Sequence, residues 1–106
     1  MKIRFGMISN SSTSSFVIVG YQLPNQDLDK FLGVDCEDDR EEAAYDKELG
    51  VYDYFYPSVL GEQVFRSENG GRLNVERLTT TLTDMEQKFG EQLGKPSVFV
   101  GAYNDN

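Results

Sequence analysis

Cys36 is the only thiol in this chain, and it sits in the run Asp35-Cys36-Glu37-Asp38-Asp39. A cysteine attacks as its thiolate, which needs positive neighbours, and the carboxylates on both sides push its pKa the other way. Cys36 is therefore expected to be a spare or partly buried thiol, not a nucleophile. The sequence contains no histidine. That removes the commonest general base near neutral pH and every triad or metal centre built on imidazole. The stretch from Asp35 to Glu42 offers hard oxygen ligands for calcium or magnesium. It lacks the glycine and the closing glutamate that define an EF-hand loop, so neither a metal site nor any other cofactor is expected.

Three further patterns dissolve on inspection. Asp84 with Glu86-Gln87-Lys88 superficially matches a nuclease triad but falls on the exposed flank of an amphipathic helix. Arg4 with Ser12-Thr13-Ser14 hints at an ADP-ribosyltransferase, yet no Glu-x-Glu on a strand accompanies it. Gly70-Gly71 lacks the lysine and hydroxyl residue of a phosphate loop and reads as a turn. The expectation is a protein without catalytic residues.

Charge is the stronger signal. Ten of the eighteen carboxylates lie between Asp27 and Glu48, against Lys30, Arg40 and Lys47, so this stretch carries −7 of the total −8. Such a block repels polyanions and attracts a basic surface. Asp35, Glu37, Asp38, Asp39, Glu41 and Glu42 are its densest part and the first candidates for partner contact. Tyr52, Tyr54 and Tyr56 join them: on a strand they share one face, leaving Phe55 to the core and three rings for an interface. The same rings would suit stacking on single-stranded nucleic acid, but a sequence pI near 4.4 opposes it. Direct nucleic-acid binding is not expected.

The elements that must position these residues follow from pattern. Lys2 to Ile8 alternates as a short strand with Ile3 and Phe5 on one face. Ser9 to Ser15 is a polar run suited to a loop connecting two adjacent strands, and Phe16-Val17-Ile18-Val19 is a buried strand closed by Gly20. Pro24 starts a short helix with Leu28, Phe31 and Leu32 on its apolar face and Gly33 as its stop. Asp38 or Asp39 caps a second helix to about Leu49, with Gly50 as left-handed terminator; its thin apolar face is Ala43, Ala44 or Tyr45, and Leu49. Val51 to Tyr56 is an aromatic strand ending at Pro57, paired as a hairpin with Gln63 to Arg66. After the Asn69-Gly70-Gly71 breaker, Asn74 caps the best helix in the chain, striped by Val75, Leu78, Leu82, Met85 and Phe89, with Gly90 or Gly94 as its end. Ser97 to Tyr103 is the last strand.

The expected fold is a single α+β domain over residues 1–106. A mainly antiparallel four- to five-stranded sheet is covered by one long amphipathic helix, with two shorter acidic helices. Strand order does not follow from pattern. A length of 106 residues with 39% hydrophobic content supports one core. A lone cysteine suits a reducing compartment. No stretch reaches the roughly 18 apolar residues of a membrane span, and Ser9 to Ser15 interrupts any secretory signal.

The opening Lys2-Ile3-Arg4-Phe5-Gly6-Met7-Ile8-Ser9-Asn10-Ser11-Ser12-Thr13-Ser14-Ser15-Phe16 resembles the start of many small uncharacterised proteins of tailed phages and prophages, K-I-R-x-G-x-x-S-N-S-S-S-S-S-F. Thr13 and Phe5 depart from the commonest version. Weaker similarity lies in Val64 to Ser67 and Gly101 to Asp105. The resemblance implies a phage setting and the host cytoplasm, and supplies no activity. Combined with the acidic block, it points to a non-catalytic accessory protein that binds a basic surface of a host or defence protein, as an inhibitor or nucleic-acid mimic. The alternative is an assembly protein that forms homo-oligomers or attaches to the virion; a carboxylate and metal enzyme ranks below both.

Overall fold

The computed structural model describes residues 3–5, 13–67 and 71–104. In chain order they form β1 (Ile3–Phe5), β2 (Thr13–Gln22), α1 (Asn25–Leu32), a 3₁₀ turn (Glu37–Asp39), α2 (Arg40–Asp46), β3 (Gly50–Tyr52), β4 (Val59–Ser67), α3 (Val75–Leu93) and β5 (Ser97–Asn104). The sheet order is β1-β5-β2-β4-β3. The pairs β5–β2, β2–β4 and β4–β3 are antiparallel, and β1 adds in parallel to β5 at one edge. This is the expected α+β architecture.

Alternation along β2 sends successive side chains to opposite faces. Val17, Val19 and Tyr21 meet Val64, Val98 and the α3 stripe of Leu78, Leu82, Met85 and Phe89. On the other face Phe16, Ile18, Val59 and Phe99 form a second cluster, closed by Phe55 from the 53–58 connection. Its rings meet edge to face, Phe55 lying 5.8 Å from Phe16 and 5.5 Å from Phe99. Phe16, Ile18 and Phe99 are essentially without solvent contact, each burial contributing about 1.5–3 kcal/mol. Leu28, Leu32 and Ala44 seat α1 and α2 on Leu60.

Two close approaches fix the sheet. Gly20 faces Gly61 across β2 and β4, and a Cβ on Gly61 would stand 2.1 Å from the Val19 carbonyl oxygen. A Cβ on Gly101 would stand 2.6 Å from the Phe16 ring. Between Val17 and Ile18 the register with β4 slips by one residue. That bulge lets the consecutive residues Val64 and Phe65 both pack on the α3 side.

Helix boundaries follow local chemistry. The Asn74 side chain accepts the Arg77 amide at 3.1 Å, and α3 runs through Gly90 to end at Gly94. Gly33 terminates α1 in the left-handed conformation.

The structure corrects several expectations. Thr13, Ser14 and Ser15 are strand residues, because β5 offers them partners from Asn104 to Ala102. The rest of the polar run, Ser9 to Ser12, and the Asn69-Gly70 breaker lie outside the described residues. β1 and β2 are not neighbours, since β5 lies between them. The second helix ends at Asp46; Glu48, not Gly50, takes the positive φ, and Gly50 opens β3. Neither Asp38 nor Asp39 makes a side-chain cap. The aromatic strand stops at Tyr52 and pairs with Val59 to Gly61, not with Gln63 to Arg66. Tyr52, Tyr54 and Tyr56 therefore do not share a strand face, although Phe55 does enter the core.

Candidate functional site

The acidic segment is built on few anchors. After the extended Cys36 the chain turns through Glu37–Asp39, none of which is buried, and α2 then holds to the protein through buried Ala44. Arg40 is the second anchor. Its guanidinium engages both carboxylate oxygens of Asp29 on α1, the Nη2 to Oδ2 contact being 2.9 Å. This hydrogen bonding holds the Asp29 carboxyl below the usual carboxylate range and Arg40 above its own. Arg40 is thus paired with Asp29.

Asp35, Glu37, Asp38, Asp39, Glu41 and Glu42 all remain exposed. None forms an ion pair with a described residue. The 3₁₀ turn carries Glu37, Asp38 and Asp39, the first turn of α2 carries Glu41 and Glu42, and Asp35 precedes both in one acidic segment. Cys36 lies inside it, its sulfur 3.3 Å from Asp39 Oδ2. That hydrogen bond raises the pKa of this exposed thiol, with desolvation adding to it, and so disfavours the thiolate. Among the described residues no three His, Cys, Asp or Glu side chains are grouped to hold a metal ion.

The fold brings this surface to the 53–58 connection. A groove of about 290 Å³ is lined by Glu37, Asp38, Arg40 and Glu41 together with Val51, Asp53 and Ser58, so the Arg40 guanidinium sits among its carboxylates. Asp53 therefore extends the negative surface beyond the block read from sequence. The predicted tyrosines separate. Tyr56 is 98% exposed at the tip of the connection. Tyr54 lays its ring 5.1 Å from that of Phe16. Tyr52 is half-buried with its ring across Gly50, and burial raises its pKa.

Tyr45, absent from the predicted set, is 78% exposed on α2. Its exposure was encoded one residue earlier: with Ala44 inward, the next side chain is rotated by about 100° toward solvent. A second groove, of about 700 Å³, lies between Tyr45 and Tyr52 and reaches Gly61 and Glu62 of β4.

Among the described residues no helix is long and apolar enough to cross a membrane. Comparison with protein-family models, with curated proteins and with solved structures yields no match to this chain.

Proposed function

We propose that this protein is a non-catalytic binding module of phage origin that engages a basic surface of a host or defence protein in the host cytoplasm. The observation that carries the reading is the set of exposed acids Asp35, Glu37, Asp38, Asp39, Glu41 and Glu42, none in an ion pair with a described residue, of which Glu37, Asp38 and Glu41 share one groove with Asp53. Internal neutralisation is spent on Asp29, through Arg40, and on Glu48, whose carboxylate lies 3.6 Å from Lys88. The field of the remaining acids is directed outward, where it accelerates encounter with a cationic partner and disfavours nucleic acid. Tyr56, on the same 53–58 connection as Asp53, supplies an exposed ring. The phage setting rests on the resemblance of the opening run Lys2 to Phe16.

The test is affinity capture from host lysate by the native protein and by a variant with Asp38, Asp39, Glu41 and Glu42 changed to lysine, followed by direct binding of the purified partner. A basic protein bound only by the native form, and released at about 1 M salt where the screening length falls to about 3 Å, is the expected result. Equal recovery by both forms of a non-basic partner overturns the reading. Recovery of the chain itself or of virion proteins by both forms transfers it to assembly.

A further inference from the structure

β3 stops at Gly50, opposite Gly61, so Glu62 begins a stretch of β4 with no strand partner from β3. Such an edge normally invites strand addition. Here the backbone groups at Gln63 are already engaged by side chains: its carbonyl accepts from Arg77 Nη2 at 3.5 Å, and its amide hydrogen-bonds the Tyr52 hydroxyl. What stays available is the side-chain groove beside the edge. It holds about 700 Å³, with Tyr45 and Tyr52 as aromatic walls and Asp46, Glu48 and Glu62 as carboxylates.

The nearby cations already have partners, Arg77 at the Gln63 carbonyl among them. Lys47 points over the Phe31 ring, 5.2 Å from its centroid, and Lys88 pairs with Glu48. Asp46 and Glu62 have no ion-pair partner among the described residues. Tyrosine rings and carboxylates lining one groove suit a planar cation, which stacks on a ring and donates two parallel hydrogen bonds.

From this we infer that the groove between Tyr45 and Tyr52 receives an arginine side chain of the partner protein. The inference rests on the reading of a basic partner and places one of its contacts outside the Asp35 to Glu42 surface.

The probe is a capped pentapeptide with a central arginine flanked by threonine and alanine, titrated into the ¹⁵N-labelled protein while amide resonances are followed by NMR. Saturable shifts at residues 45–52 and 61–63 are expected. They should be absent with the citrulline peptide, and the apparent Kd should weaken roughly five- to tenfold in Tyr45→Ala. Because Tyr45 is exposed, the variant's spectrum will otherwise match the parent's. Shifts confined to residues 35–42, unaffected by Tyr45→Ala and abolished by Asp38→Lys with Glu41→Lys, would overturn the groove assignment and leave the basic-partner reading standing. Shifts at the groove produced by raising the protein concentration alone would assign it to a second copy and also overturn the inference. No response to the arginine peptide at any residue would count against both.

Discussion

Tyr21 reports on the packing of a single side chain. Its hydroxyl donates to the Gly94 carbonyl at 2.8 Å, joining the C-terminal end of β2 to the end of α3. Burial, reinforced by the Glu86 charge, pushes its pKa up to about 12. The unfolded tyrosine ionises near 10. A phenol whose folded pKa is raised contributes stability that is complete below about pH 10 and is lost as pH rises toward 12. Tyr21→Phe should cost about 0.5–1.5 kcal/mol at pH 8. It should also be less sensitive than the parent between pH 10 and 12, as measured by urea unfolding at several pH values. Parallel stability curves for the two proteins would refute this account. The sequence placed Phe16 to Val19 in a strand, but the partner of the Tyr21 hydroxyl, 73 positions away, could not be read from it.

Elements stand or fall on their ends and on their closest approaches. Asn74 satisfies one of the amides left open at the start of α3. Asn74→Ala should lower stability by about 0.5–2 kcal/mol, and Asn74→Asp should keep most of it, by thermal unfolding. The β2–β4 pair is less forgiving. In Gly61→Ala the new methyl meets backbone, not a movable side chain. We expect a loss above the about 1–3 kcal/mol of ordinary overpacking, or failure to fold. An unchanged denaturation midpoint would mean the strands can separate without cost. At this scale Val75, expected to open the α3 stripe, is 70% exposed, but the capping asparagine, the stripe from Leu78 to Phe89 and the Gly33 stop were legible because each depends on residues within a few positions. The end of α2 was not: a glycine two residues beyond Glu48 suggested the left-handed terminator, whereas pairing of Gly50 with Gly61 drew it into β3.

For the molecule as a whole, the prediction concerns charge. Each lysine replacement among Asp38, Asp39, Glu41 and Glu42 adds two charges, so four of them cancel the formal −8. All four sites are exposed, and exposed substitutions usually change stability by no more than about 0.5 kcal/mol each. The variant should therefore melt close to the parent while its association with a basic protein slows and loses its salt dependence. Collapse of the fold would show that the acids support α2 instead of facing a partner.

The composition and local patterns of the sequence determined the α+β class, the buried strand at Phe16 to Val19, the long covering helix and the concentration of acid, because hydrophobic periodicity and charge are carried by neighbouring residues. Only the tertiary structure decided that β1 joins the far side of β5, that the β4 bulge turns both Val64 and Phe65 toward α3, and that Tyr45 and Tyr52 flank one groove while Tyr54 and Tyr56 separate from Tyr52. These outcomes depend on which distant strands pair and in what register, and a shift of one residue in that pairing exchanges the buried and exposed faces of a strand.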